Sequence, residues 1–168
     1  MKTVTLTAAI FIIFMTGCIR HSDEGLQRRE RKKDQQVTTN LKRITPNLMV
    51  EDVEGSAGFY KRVLGFDVVT AFPDTGKMDF AIVSLDNLDI MLQRKGNLIE
   101  EINEFQNTPI GGSFTIHFDV KDILMIYEKA VMSARIIQEL HQTSYGTKEF
   151  SMKDNNGYIL TFSEPLRQ

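Results

Sequence analysis

The sequence predicts an α+β domain made of two tandem βαβββ units, and three observations carry that reading. Apolar spacing switches between strand period and helix period in the same order twice. Turn residues separate the strands in both halves. A shift of 70 residues then lays one half on the other, matching Val50 with Val120, Asp52 with Asp122, Val53 with Ile123, Gly76 with Gly146, Phe80 with Phe150 and Ile90 with Leu160. Self-similarity at a fixed spacing outranks local propensity as an architectural signal.

The first unit spans about residues 41–95. Arg43 to Glu51 reads as a strand, Asp52 as a helix N-cap, and Val53 to Leu64 as a helix with Phe59, Tyr60, Val63 and Leu64 on its apolar side. Gly65 stands where a helix end favours positive φ. Three strands follow, Phe66 to Phe72, Met78 to Leu85 and Leu88 to Arg94, divided by Pro73-Asp74-Thr75-Gly76 and Asp86-Asn87.

The second unit spans about residues 113–165. Ser113 to Val120 is a strand and Asp122 caps a helix that runs to about Ala134. Ile136 to His141, Thr147 to Lys153 and Tyr158 to Ser163 are strands, the last two joined by the turn Asp154-Asn155-Asn156-Gly157. Gly111-Gly112 reads as the hinge between the units.

Ahead of the domain, Lys2 precedes an apolar run from Val4 to Phe14, the length of a signal-peptide hydrophobic region and short for a finished membrane span. Met15-Thr16-Gly17-Cys18 follows and resembles a lipobox, which implies cleavage before Cys18 and acylation of its thiol. Several acyl chains would anchor the protein stably, at about 0.8 kcal/mol per buried CH₂. The expected organisation is a signal peptide over residues 1–17, a charged tether over 18–40 and the domain over 41–168. The expected location is the cell envelope, on the periplasmic or extracellular side of a membrane. Residues 19–40 are nearly devoid of apolar side chains and carry the run Arg28-Arg29-Glu30-Arg31-Lys32-Lys33-Asp34, as a solvated spacer or a basic grip on anionic surfaces would.

Composition excludes several function classes. The net charge of −2 over 168 residues gathers in no single-sign field, so nucleic acid is not an expected partner. The single cysteine, Cys18, rules out an intramolecular disulfide and a thiol-rich zinc site.

Met49-Val-Glu-Asp-Val-Glu-Gly-Ser-Ala-Gly-Phe-Tyr-Lys-Arg-Val-Leu-Gly-Phe66 resembles the first strand and helix of the glyoxalase/bleomycin-resistance/dioxygenase superfamily, the vicinal oxygen chelate fold. Tyr145-Gly-Thr-Lys-Glu-Phe-Ser-Met-Lys-Asp-Asn-Asn-Gly-Tyr158 is similar to its penultimate hairpin, with Asn155 where proline is commoner. The resemblance covers about residues 42–165. It implies that the two mixed sheets curl into a cleft and that the protein forms a homodimer.

In metal-dependent members the ligands are His or Glu on the first and fourth strands of each unit. The resemblance maps those positions to Thr45, Met91, Thr115 and Thr161. None suits a hard divalent ion, because hydroxyls are weak neutral ligands and a thioether is soft. A slip of two residues brings Asn47, Gln93, His117 and Ser163, of which His117 alone is a good ligand. No metal and no cofactor is therefore expected, and these eight residues are the candidate lining of a small-molecule cleft. His117 is also a candidate acid or base, with Glu149 placed to orient it. His141, beside Glu139, reads as solvent-facing near the rim. Three functions remain open: a metal-free binding module like the bleomycin-resistance proteins, an enzyme of the superfamily (lyase, isomerase or dioxygenase) using a displaced metal or His117, and an envelope interaction protein.

Overall fold

A computed structural model describes residues 42–166, and its compact unit begins at Thr45. Cys18, the signal segment and the charged tether lie outside the described residues. The first sheet holds β1 (Asn47–Val50), β2 (Asp67–Phe72), β3 (Phe80–Leu85) and β4 (Leu88–Arg94) in the order β1-β4-β3-β2. The second holds β5 (Thr115–Asp119), β6 (Arg135–Gln142), β7 (Thr147–Lys153) and β8 (Ile159–Pro165) in the order β5-β8-β7-β6. In each sheet the first strand runs parallel to the fourth and the other pairs are antiparallel. These are the two βαβββ units expected from the repeat, and the domain is α+β.

One helix per unit covers one face of its sheet. α1 (Val53–Phe59) continues into a π-helical turn, Tyr60–Leu64, which Gly65 ends at φ 85°. It buries Val53, Ala57, Tyr60 and Val63 over Leu48, Val50, Ala81, Val83, Ile90 and Leu92. The corresponding helix of the second unit, Ile123–Ser133, buries Ile123 and Ala130 over Phe150, Met152, Leu160 and Phe162. Stacking reinforces this second core, with Phe118 on Phe162 at 5.1 Å and Phe162 on Phe150 at 4.8 Å between ring centres.

The two units are joined on the helical side. Tyr60, fully buried, donates to Asp154 Oδ2 at 3.1 Å, Asn156 Nδ2 donates to Ser56 Oγ at 2.8 Å, and Tyr158 donates to the Met49 carbonyl at 3.0 Å. Asp154 also accepts the backbone N–H groups of Asn156 (2.9 Å) and Tyr158 (2.8 Å), so one carboxylate shapes the turn and ties the units together. Burial pushes its carboxyl above the usual carboxylate range against the pull of these hydrogen bonds.

Several expectations from sequence are corrected here. Phe80 and Phe150 are not equivalent: Phe80 pairs with Gln93 on the open face, whereas Phe150 pairs with Phe162 in the core. Gly76 and Gly146 do occupy matching turns, at φ 87° and 90°. The second unit then reaches its strand one residue sooner, and the Asp154–Gly157 turn restores the spacing, so Phe150 matches Ala81. β1 starts at Asn47 rather than Arg43, after Pro46, whose carbonyl still accepts from Met91 N at 2.9 Å. β3 starts at Phe80 because the Met78 N–H donates to the Glu54 carboxylate instead of to a strand.

Neither Asp52 nor Asp122 caps with its side chain. Asp122 is left-handed (φ 55°), and Glu164 on β8 accepts the N–H groups of Asp122 (3.0 Å) and Ile123 (3.3 Å) in its place. Gly111 is no free hinge: at φ 92° it packs so closely on the turn that a Cβ there would lie 3.0 Å from the Asn156 carbonyl. The segment between the units also contains an unanticipated helix, α2 (Lys95–Glu101), and a 3₁₀ turn, Asn103–Phe105. The second-unit helix is accordingly α3.

Candidate functional site

Side chains alternate across a strand, so the residues flanking the core positions fall on the uncovered face of each sheet. On the first sheet, Asn47, Met91, Ile82 and Thr70 form one cross-strand row, and Met49, Gln93, Phe80 and Phe72 the next. On the second, the equivalent rows are His117, Thr161, Ser151 and Gln138, then Asp119, Ser163, Glu149 and His141.

Glu149 is the centre of the second face and is only 8 % exposed. Its Oε1 accepts from Thr147 Oγ1 at 2.8 Å and Ser163 Oγ at 3.1 Å, and its Oε2 from the Tyr145 hydroxyl at 3.0 Å. Burial pushes this carboxyl up, but the three hydroxyl donors and the nearby His117 outweigh it and hold Glu149 below the usual carboxylate range. The same hydrogen bond holds the Tyr145 proton more tightly than in a free phenol. Because Thr147 spends its proton on Glu149, the Thr143 hydroxyl is the donor shared between Thr147 Oγ1 at 2.8 Å and the Thr147 carbonyl at 3.3 Å.

A second chain crosses the adjacent row. Ser151 Oγ donates to Gln138 Oε1 at 3.3 Å, so Thr161 is the donor in its 2.9 Å contact with Ser151. The Gln138 amide then faces His141 Nε2 at 3.4 Å, while His141 Nδ1 lies 2.9 Å from the Glu139 carbonyl. The Glu139 carbonyl can only accept, so His141 Nδ1 is the donor in that contact. His141, expected to face solvent, is half-buried and engaged through both ring nitrogens.

The eight candidate lining residues are placed in two groups. Asn47 donates to Gln93 Oε1 at 2.7 Å, and Met91 is its cross-strand neighbour, with Thr45 just before β1. Thr115, His117, Thr161 and Ser163 lie on the second face. Glu149 makes no hydrogen bond to His117; the His117 ring is instead 3.7 Å from Asp119 Oδ1, with its side chain half exposed. Sequence reasoning missed Tyr145, Thr147, Ser151 and Gln138. Two of these four were legible, because Thr147 and Ser151 flank Glu149 in alternation with Lys148, Phe150 and Met152.

The donor set does not fit a divalent metal. Thr45, Met91, Thr115 and Thr161 offer three neutral hydroxyls and a thioether, and the Thr161 hydroxyl is already committed to Ser151. Among the described residues no group of three or more His, Cys, Asp or Glu is placed to hold an ion.

Two grooves lie elsewhere, on the outer side. One of about 790 Å³ runs past Leu124, Met125 and Glu128 of α3 to Lys148 and Glu164; another of about 520 Å³ is edged by Arg62, Met132, Arg135 and Lys153. In the first, Glu164 is spent on capping α3. Convergent polar chemistry sits on the open face of the second sheet, which is the better candidate site. No helix among the described residues is long and apolar enough to cross a membrane.

Residues 40–162 match the model of the Glyoxalase/Bleomycin resistance protein/Dioxygenase superfamily. No curated protein matches the chain. Among solved structures, TioX from Micromonospora sp. ML1 is 19 % identical, with 75 % of this chain and 100 % of that one covered at a TM-score of 0.59. A glyoxalase/bleomycin resistance protein/dioxygenase family enzyme from Burkholderia phytofirmans PsJN is 18 % identical, covering 73 % and 97 % at 0.62. A glyoxalase/bleomycin resistance protein/dioxygenase from Nocardioides is 14 % identical, covering 84 % and 94 % at 0.64. Likenesses at these identities speak to the fold alone.

Proposed function

The chain belongs to the glyoxalase/bleomycin resistance protein/dioxygenase superfamily, and from that premise we propose that it is a metal-free, small-molecule binding module of the cell envelope. The observation that carries this reading is the pair of open faces. Where the superfamily's metal-dependent members need anionic or imidazole ligands, this chain has Thr45, Met91, Thr115 and Thr161, and around them a polar face whose donors and acceptors are already ordered. Ordered polar groups next to apolar surface suit the capture of a ligand in one orientation. In this reading the lining is the eight candidate residues together with Glu149, and His117 contributes a hydrogen bond. The protein acts as a homodimer, tethered through lipid on Cys18.

The test is metal analysis and thermal shift on the full chain. The reading expects no stabilisation by Mn²⁺, Fe²⁺, Ni²⁺ or Zn²⁺ and at least one small organic ligand that raises Tm in proportion to ln(1 + [L]/Kd). Near-stoichiometric metal that stabilises the fold, or an activity lost in His117→Ala, would overturn it in favour of an enzyme. Lipidation is tested separately: Cys18→Ser should release the protein from the membrane fraction, and retention of that variant would remove the tether.

A further inference from the structure

We propose that the open face of the second sheet holds its ligand by a cationic nitrogen, an ammonium or guanidinium, bound at Glu149. This deepens the binding-module reading and rests on it.

Glu149 is 8 % exposed and ionised, and among the described residues no Lys or Arg lies within 4 Å of it; the basic groups on its face are two imidazoles, His117, whose ring is 3.7 Å from Asp119, and His141, engaged with Gln138 and the Glu139 carbonyl. Lys148, its chain neighbour, points the other way and lines the outer groove. Three hydroxyl donors hold this carboxylate ionised, and its remaining lone pairs leave it able to accept from a cation brought by a ligand. The first unit handles a comparable acid differently, since Asp79 is paired with Arg94 and also accepts from Asn97 at 3.4 Å.

The hydrogen-bond directions sharpen the ligand's chemistry. Thr147, Ser163 and Tyr145 all donate to Glu149, so each presents only lone pairs to an incoming group. Three obligate acceptors around a negative charge complement a group that has several N–H donors and no acceptor, which describes an ammonium or guanidinium. An anion or a plain carbonyl would meet lone pairs on every side. The Tyr145 ring, 71 % exposed beside the carboxylate, adds an aromatic surface of the kind cations favour. An amine carried on a ring, which can lie against Tyr145, is the simplest probe of that description.

The experiment titrates the full chain with phenethylamine and its uncharged counterpart, phenethyl alcohol, by calorimetry and by amide chemical shifts. Phenethylamine should bind at least tenfold more tightly than the alcohol and shift the amides of Thr147, Glu149 and Ser163. Glu149→Gln should weaken the amine at least tenfold and leave the alcohol unchanged. Asp67→Asn removes the same charge from an exposed site on the first sheet and should change neither. Should Glu149→Gln fail to fold, the amide shifts in the unsubstituted protein decide, and shifts confined to another face would overturn the assignment. Equal affinity for both compounds would refute the cation site and leave the binding module standing, as would equal losses in Glu149→Gln and Asp67→Asn. Failure of both compounds to bind refutes the site; the module itself falls only if the wider ligand screen is also empty.

Discussion

The two sheets are built alike and finished differently. Their covered faces match: Ile90 and Leu92 in one and Leu160 and Phe162 in the other lie against helices with almost no exposure. Their open faces diverge, with Phe80, Ile82 and Met91 on the first where Glu149, Ser151 and Thr161 stand on the second. The helix-covered positions share one apolar core in which volume is closely constrained, while the opposite faces carry different side-chain chemistry in the two sheets.

The largest expected effects test the conserved side of that comparison. Leu92→Ala and Phe162→Ala remove equivalent core side chains, and each should cost about 3–4 kcal/mol in urea unfolding. A twofold difference between them would break the equivalence of the two inner faces. Next is the joint that both halves share. Asp154→Ala strands the buried Tyr60 hydroxyl and two turn N–H groups, at a cost of about 2–3 kcal/mol. If the loss were negligible, the tie between the units would lie elsewhere.

Much of this was legible in the residues. The repeat gave the order of the strands, and alternation in β7 put Glu149 among hydroxyls on one face. The one-residue step between Phe80 and Phe150 was hidden because a shortening before β7 and a lengthening after it cancel, so an ungapped shift matches on both sides of the discrepancy. α2 was hidden because Gly96 and Asn97 are poor helix formers; Arg94, paired with Asp79 and donating to Asn97 Oδ1 at 3.0 Å, holds it by tertiary contacts. The cap of α3 was equally out of reach, since Glu164 comes from a strand about 40 residues beyond the helix start.

Acid titration separates the polar face from the joint, with effects in opposite directions. Glu149 sits below the usual carboxylate range in the fold, so its contribution is present above the unfolded value of about 4.3 and disappears as pH falls through the folded value. Asp154 sits above its usual range, so its contribution is complete below about 3.9 and is lost as pH rises through the folded value. Glu149→Gln should therefore lower Tm at pH 7, by on the order of 3 °C, and approach the unsubstituted protein in acid. Asp154→Asn should do the reverse, comparing best at neutral pH and worst in acid. Parallel profiles for the two variants would mean that net charge, and not location, governs both.

The smallest effect sharpens the same point. Asp67 and Lys61 form an ion pair at 2.8 Å whose side chains are 69 % and 66 % exposed, so water screens it and two mobile side chains must be ordered to make it. Asp67→Asn changes the protein's charge by the same amount as Glu149→Gln. It should leave Tm unmoved within error at pH 7. The hydrogen bonds explain the difference, because Asp67 has one donor on an exposed lysine while Glu149, itself 8 % exposed, accepts from three hydroxyls. A loss in Asp67→Asn as large as that in Glu149→Gln would show that the second sheet's polar face has no special hold on its carboxylate, and the contrast between the two open faces would lose its energetic meaning.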